Sequence, residues 1–206
     1  MRVIRTSLVL ALPILASPRA ARAESFFEIA GGISIPMGDE EWTDRVESSP
    51  KLGIKAGAVP ENIGGAVSAD WTPVNTDAQG FSNGLGNLDV SAHRFRVLAN
   101  VLFQLPLKQK IHFEGRGGIG IDIAHASVEG NVLGFNVDTS DTDVGVGFEF
   151  GAGMWFDVSS VQVGAQVAFP FSVHNHKDDP NDADDIELDY TSYDFDLMFG
   201  VRLLAK

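Results

Sequence analysis

The stretch IHFEGRGGIGIDI, residues 111–123, decides how the rest of the chain is interpreted. Residues 115–120 within it have the G-x-G-x-x-G spelling of a dinucleotide-binding loop. Such a loop needs a strand before it, a helix after it and an acidic residue about 20 positions further on. Here an alternating pattern continues past Gly120 and then turns, and no crossover helix follows. The glycines therefore do not predict a nucleotide site.

The alternation divides this stretch into two faces. Apolar side chains and glycines fall on one face: Ile111, Phe113, Gly115, Gly117, Ile119, Ile121 and Ile123. Polar, charged and glycine residues fall on the other: His112, Glu114, Arg116, Gly118, Gly120 and Asp122. Successive side chains of a β-strand point to opposite faces of the sheet, so the stretch predicts a strand with one apolar and one charged face.

Seven other segments repeat this two-residue period and predict seven more strands. They are FFEIAGGISIP (26–36), LGIKAGAV (52–59), AVSADWT (66–72), HRFRVLANVLFQL (93–105), VGVGFEFGAGMWF (144–156), VQVGAQVAFPF (161–171) and YDFDLMFGVRL (193–203). The apolar faces carry no Asp, Glu, Lys or Arg. The opposite faces carry charges of both signs and many glycines, which weaken a solvated strand but fit a crowded, narrow barrel interior. A soluble barrel with its apolar face inward remains an alternative.

The connections between the predicted strands are sorted by length. Residues 36–51, 72–89, 124–143 and 172–192 are long, polar and acidic, whereas residues 60–63, 106–110 and 157–160 are short. Long and short links alternate, which puts all the short ones at one end of an antiparallel barrel. Short turns on one side and long loops on the other are typical of bacterial outer-membrane barrels.

With these features the chain resembles the small eight-stranded outer-membrane β-barrel proteins, the OmpA/OmpX-like and opacity-protein-like group. Strands such as RFRVLANVLFQLPL and IHFEGRGGIGIDIA and the closing strand YDFDLMFGVRLLAK carry the resemblance, which covers residues 24–206. It implies an all-β fold, an eight-stranded antiparallel up-and-down transmembrane β-barrel with periplasmic termini, in a Gram-negative outer membrane. One departure is the ending Leu203-Leu204-Ala205-Lys206, where relatives often end on an aromatic residue.

The first 23 residues read as a secretory signal peptide. Arg2 and Arg5 precede a short apolar run, Leu8 to Ala16, and Ala21-Arg22-Ala23 is a small-x-small cleavage pattern. We therefore expect a signal peptide over 1–23 and one barrel domain over 24–206. Without the four signal arginines, 11 basic residues stand against 28 acidic ones, a net charge of −17. This balance disfavours nucleic acid and anionic lipid headgroups as general partners, and the absence of cysteine excludes disulfides.

The charged faces predict an ion-pair network inside the barrel. An eight-stranded barrel is filled by its own side chains, so charges within it must pair. The predicted structural network comprises Glu28, Lys55, Arg94, Arg96, Glu114, Arg116, Glu149, Asp194, Asp196 and Arg202, with Asp70 and Asp122 on the same faces. We expect Arg94 and Arg96 to face Glu114 and Arg116 across neighbouring strands.

Three other features are candidate sites. The run HNHKDDPNDADDIELD, residues 174–189, could offer oxygen ligands to Ca²⁺ or Mg²⁺ but lacks the EF-hand order, which favours a solvated acidic loop. His125-Ala126-Ser127 invites comparison with lipid A deacylases, but Val128 stands where that family has Asn. Trp71 and Tyr193 are expected at the membrane interface, and Trp155 is expected to fill the lumen.

The sequence thus predicts a non-enzymatic outer-membrane protein without cofactor, catalytic residues or a bound metal site. Its role would be structural or surface-interacting, with the acidic outer loops as the contact surface. The expected partners are membrane lipid, lipopolysaccharide and divalent cations at those loops, and a monomer is expected. Two alternatives stay open: a transporter or channel for small or hydrophobic molecules, and a soluble periplasmic β-barrel that binds an apolar ligand.

Overall fold

The computed structural model describes residues 24–37, 46–76, 86–132, 135–174 and 191–205. The predicted signal peptide, residues 1–23, lies outside these residues. The strands are β1 (Glu24–Met37), β2 (Val46–Glu47), β3 (Ser49–Val59), β4 (Ile63–Thr76), β5 (Gly86–Lys108), β6 (Ile111–Val132), β7 (Phe135–Val158), β8 (Val161–Val173) and β9 (Thr191–Ala205). All eight predicted strands are present, and β2 is a two-residue addition that pairs only with the outer end of β4.

The eight long strands form a closed antiparallel barrel. Each pairs with its neighbour in the chain, and β9 returns to pair with β1 along the register from Ser25–Ala205 to Met37–Tyr193. The short links 60–62, 109–110 and 159–160 lie at the same end as both ends of the described chain. The predicted up-and-down barrel is confirmed, and closure pairs each of the eight long strands on both sides within the wall, while the outer ends of β5 and β7 pair only with β6.

Burial in this barrel is the reverse of that in a water-soluble protein. Buried polar and charged side chains outnumber buried apolar ones among the described residues. Large apolar side chains point outward on every strand of the wall, for example Ile29, Ile54, Val101, Ile119, Phe150, Phe169 and Phe199. Trp71 and Tyr193 also face outward, whereas Trp155 is fully buried in the lumen, as predicted. Such an apolar outer surface is stable in hydrocarbon rather than in water.

The predicted loop over residues 124–143 is wrong. β6 continues to Val132 and β7 begins at Phe135, and the two remain paired as far as Val132–Phe135. β5 begins at Gly86 and pairs with β6 along the same length. Apolar alternation stops in this extension although the backbone pairing continues. The strands also reach into the predicted loops 36–51 and 72–89, because β3 begins at Ser49 and β4 ends at Thr76.

No helix in the described part of the chain is long and apolar enough to cross a membrane.

The outward apolar surface leads to a first prediction. Phe150 lies near the middle of the outward series Val144 to Phe156 on β7 and is 60% exposed. Phe150→Arg is expected to lower the free energy of unfolding in lipid vesicles by about 2–4 kcal/mol, because a lipid-facing cation at mid-membrane is poorly solvated. Urea titration of vesicle-inserted protein measures this. Ser140→Arg on the same strand, beyond the apolar series, is the control, and an equal effect of the two substitutions would contradict the membrane placement.

Candidate functional site in the lumen and at the outer rim

The ten predicted network residues all lie on the inner face of the barrel. Strand alternation places them there, since each shares its face with glycine, alanine or serine rather than with the outward apolar series. Nine of them are buried residues, and the Arg116 side chain is 5% exposed. Nine of them form three layers along the barrel axis, which we name the inner, middle and outer layers, counted from the end with the short turns; the tenth, Asp196, binds Lys51.

The inner layer is centred on Arg202 of β9. Its Nη2 donates to Glu28 Oε2 at 2.9 Å and to Glu114 Oε1 at 3.0 Å. The guanidinium carbon also lies 3.9 Å from the ring centroid of Trp155 and 4.1 Å from that of Phe26. One cation therefore binds carboxylates from β1 and β6 and packs on two aromatic rings, which ties four strands together.

The middle layer joins Lys55 and Arg116 to carboxylates on either side of the barrel. Lys55 Nζ lies 3.3 Å from Glu28 Oε1, and Gln166 Nε2 donates to the same oxygen at 2.8 Å. Arg116 Nε donates to Glu149 Oε1 at 2.6 Å, and its Nη1 contacts Gln166 Oε1. Gln166 thus connects the two ion pairs.

The outer layer differs from the expected pairing. Arg94 and Arg96 both bind Asp122 Oδ2, at 2.7 and 3.0 Å, rather than facing Glu114 and Arg116. The register explains this, because Arg96 lies directly opposite Asp122 whereas Glu114 lies opposite Gln104. Arg94 also donates to Asp194 at 2.5 Å. Its Nη2 donates to the hydroxyls of Ser172 and Ser192.

Sequence reasoning missed Lys51, which binds the predicted lumen acids Asp196 and Asp70, and it missed the pair of His174 and Asp143. Lys51 Nζ lies 2.5 Å from Asp196 Oδ2 and 3.7 Å from Asp70 Oδ2, and the lysine is buried. His174 Nδ1 lies 2.6 Å from Asp143 Oδ2 near the outer mouth. Both sit just beyond the apolar alternation from which the strands were predicted. Alternate residues of a strand share a face, so the inward face of Gly53 also holds Lys51, and that of Ser172 also holds His174. Continuing the alternation by two residues along each strand would have found them.

The lumen is filled by these side chains. A small cavity at mid-height has room for about one water molecule. It is lined by Glu28, Lys55, Asp70, Arg116, Glu149 and Gln166, among others. Below it, Phe26, Val59, Ala66 and Leu102 form a buried apolar cluster with Leu204 packed against it. Across the described residues the lumen is therefore an ion-paired interior above an apolar floor.

The other candidate sites are placed as follows. His125 Nδ1 lies 2.8 Å from Thr142 Oγ1, and Ser127 Oγ lies 2.8 Å from Ser91 Oγ, so each has a partner on a different strand. The acidic run 174–189 falls outside the described residues except for His174. The described ranges hold no group of three or more His, Asp or Glu side chains placed to bind a metal ion.

The comparison with known families agrees with this geometry. The family described as "Outer membrane protein beta-barrel domain" matches residues 7–202. The chain belongs to this family. Its place is the Gram-negative outer membrane, so the outward apolar side chains face lipid and the alternative of a soluble periplasmic binder is excluded.

Solved structures of outer-membrane proteins share the fold of this outer-membrane barrel. A major outer membrane protein from Thermus thermophilus is 12% identical, with a TM-score of 0.56, covering 89% of this chain and 100% of that one. Ail, the attachment invasion locus protein of Yersinia pestis, is 15% identical, with a TM-score of 0.52, covering 88% and 99%.

The outer membrane protease OmpT from Escherichia coli is 7% identical, with a TM-score of 0.51, covering 90% of this chain and 97% of that one. No curated protein sequence matches the chain. At these identities the likeness shows the fold alone. Because an attachment protein and a protease share that fold, the barrel does not by itself decide between enzymatic and non-enzymatic roles.

Proposed function

We propose that this outer-membrane barrel is a non-enzymatic structural or surface-interaction protein, plugged inside and exposed to contact at its outer rim. The observation that carries the proposal is the lumen. Its charges are paired across neighbouring and opposite strands, and its inner end is closed by Arg202 stacked on Trp155 and Phe26. Such an interior supports a rigid scaffold rather than a path for solutes.

The residue arrangement supports the absence of catalysis. A hydrolytic site needs a nucleophile within hydrogen-bond reach of a base, and the base held by a third group. His125 is instead bonded to Thr142, and Ser127 to Ser91. His174 and Asp143 form a close pair, but their described neighbour Ser172 is bonded to Asp122 and Arg94. The buried acids and bases of the described lumen bind one another, which supports a structural rather than a catalytic use of them.

The outer rim supports contact with cationic rather than anionic partners. Exposed acids on the described rim include Glu47, Glu129 and Asp138. The predicted acidic loops lie largely outside the described residues. A structure of Ail contains the heparin analogue sucrose octasulfate, a polyanion. The acidic rim of the present chain disfavours such a ligand and favours divalent cations or basic groups on another surface. The protein would act as a monomer among lipid and lipopolysaccharide.

Conductance tests the plugged lumen. Purified protein inserted into planar lipid bilayers is expected to give no stable current steps at neutral pH, because the paired side chains and the apolar floor fill the lumen along the described strands. A general porin in the same bilayers shows that insertion and detection work. Reproducible unitary steps from this protein would overturn the proposal in favour of a channel or transporter.

A further inference from the structure

The outer ends of β5 and β7 leave two free sheet edges beyond the barrel wall. β4 pairs with β5 only as far as Val74–Ala92, and β8 pairs with β7 only as far as Val146–Val173. In the described part of the chain, residues 86–91 of β5 and 135–145 of β7 therefore pair only with β6. We name this three-stranded part the protruding sheet. A free edge offers its backbone donors and acceptors to a strand of another chain, so proteins commonly block such edges.

The backbone donors on the free edge of β7 belong to its even-numbered residues. Successive N–H groups of a strand point to opposite sides. Asp157 N donates to the carbonyl oxygen of Lys110, immediately before β6, so the odd-numbered N–H groups of β7 point towards β6. The pairing of β7 with β6 runs from one end to the other without a shift in register, so this assignment holds along the strand. Thr142 and Val144 therefore direct their N–H groups to the free edge.

These two donors are capped by aspartates of their own strand. Thr142 N donates to Asp141 Oδ1 at 2.7 Å, and Val144 N donates to Asp143 Oδ1 at 2.8 Å. Hydrogen bonds to a carboxylate are stronger than those between neutral groups, and such local bonds compete with a sheet ladder. Val144 is the next donor on this edge after Val146, the last residue of β7 that pairs with β8. The ladder with β8 therefore ends where the caps begin.

Asp143 is held in its capping position by a second contact. Its Oδ2 lies 2.6 Å from Nδ1 of His174, which directly follows β8, and both residues are buried. Asp141 shares the inner face of the strand with Asp143 by alternation, whereas Val144 faces outward. Charged side chains that point inward from an edge strand are one of the devices by which proteins prevent strand addition.

The capped donors lie where the barrel leaves the membrane. Val144 is the outermost residue of the outward apolar series on β7, and Thr142 lies one outward position beyond it. A backbone N–H group without a partner is most costly where water is scarce. An uncapped donor at this height would favour pairing with a strand of a neighbouring barrel, which stands in the same orientation in the membrane.

We propose that Asp141 and Asp143 close the free edge of β7 to strand addition by capping its N–H groups. The protruding sheet then meets other molecules through its side chains, and two copies of the chain do not join edge to edge. The inference deepens the proposed contact role of the rim and rests on that role for its biological meaning. The caps do not depend on a filled lumen, so a barrel that conducts ions would still keep them.

Hydrogen exchange tests the caps directly. Amide exchange is measured residue by residue by NMR on the barrel in detergent micelles. In Asp141→Ala/Asp143→Ala, the amides of Thr142 and Val144 are expected to exchange about tenfold faster than in the wild type, because each loses one hydrogen bond. Asp141→Asn/Asp143→Asn keeps an acceptor oxygen at each position and should retain most of the protection. Asp138→Ala removes an exposed acid from the same strand and should leave both amides protected.

Disulfide cross-linking tests whether the edge is closed. The chain contains no cysteine, so a disulfide from one introduced thiol joins two copies. Ser140→Cys places a thiol on β7 beside its free edge, and Ser127→Cys places one directly opposite on the central strand β6. Under mild oxidation in lipid vesicles, Ser140→Cys is expected to remain monomeric, and to form dimers when it is combined with Asp141→Ala/Asp143→Ala. Ser127→Cys should remain monomeric in both backgrounds.

Three results overturn the proposal. Equal exchange rates of the Thr142 and Val144 amides in the wild type and the alanine variant show that the caps do not form. Dimers of Ser140→Cys with both aspartates present show an open edge, and the lack of dimers without the aspartates shows that another feature closes it. If the double alanine variant does not fold, Asp141→Ala alone decides, since it leaves the other cap intact, and exchange at Thr142 must then accelerate. Current steps in planar bilayers would reject the filled lumen without changing any of these results.

Discussion

Arg202→Met is expected to lower the free energy of unfolding by about 3–5 kcal/mol, because it removes one partner from a buried ion-pair cluster. Arg202 is 1% exposed and binds both Glu28 and Glu114. Methionine can still pack against Trp155 and Phe26, but the two carboxylates then lie in a closed interior with less compensating charge. Urea titration in lipid vesicles, followed by the heat-modifiable shift on a gel, measures the change.

Two variants separate the charge from the packing. Arg202→Lys keeps the positive charge but loses the planar fork that binds two carboxylates and stacks on the rings, so an intermediate loss is expected. Lys108→Met at the exposed short turn is the control for removing a cation and should change stability by less than about 0.5 kcal/mol. If Arg202→Met and Lys108→Met unfold at the same urea concentration, the inner layer does not stabilise the barrel.

Gly120→Val is expected to prevent folding or to cost at least about 3 kcal/mol, at the upper end of what overpacking costs. A Cβ atom at Gly120 would overlap the backbone carbonyl oxygen of Val97 and lie 2.9 Å from the Leu98 Cα. Backbone atoms of a paired strand cannot move aside without breaking the register. The loss should appear as absence of the heat-modifiable form and as a failure to insert into vesicles.

Gly115→Val, five residues earlier in the same strand, is the matched control. A Cβ at Gly115 would meet nothing within 4 Å, because this glycine faces outward. Valine there is expected to be neutral or slightly stabilising, since it adds apolar surface towards lipid and favours the strand. An equal loss of stability in the two variants would show that both positions need glycine for the conformation of the backbone, and not because the lumen lacks space for a side chain. The contrast also explains the G-x-G-x-x-G pattern. It lies in a strand, with Gly115 on the outer face and Gly120 on the inner face.

The strands and their faces could be predicted because successive residues of a strand alternate between the buried inner face and the exposed outer face. Ile119 and Ile121 face outward and Arg116 and Asp122 inward, as the alternation predicts. The prediction of strands failed where the two faces of a strand no longer differed in polarity. Lys51 and the β6–β7 extension lie beyond the apolar series, so no contrast between faces marked them as strand. The structural role of the whole network remains a prediction for the stability measurements.

The sequence by itself determined an eight-stranded barrel with an apolar outside and a charged inside, because a period of two assigns every side chain to a face. It could not determine which charges meet. That depends on the register between strands and on the pairing of β9 with β1, which brings Arg202 to Glu28. The tertiary structure alone decided that Arg94 and Arg96 share Asp122, and that His93 and His125 form one outward row. Residues so distant in sequence become neighbours only when turns and closure set the stagger of the strands.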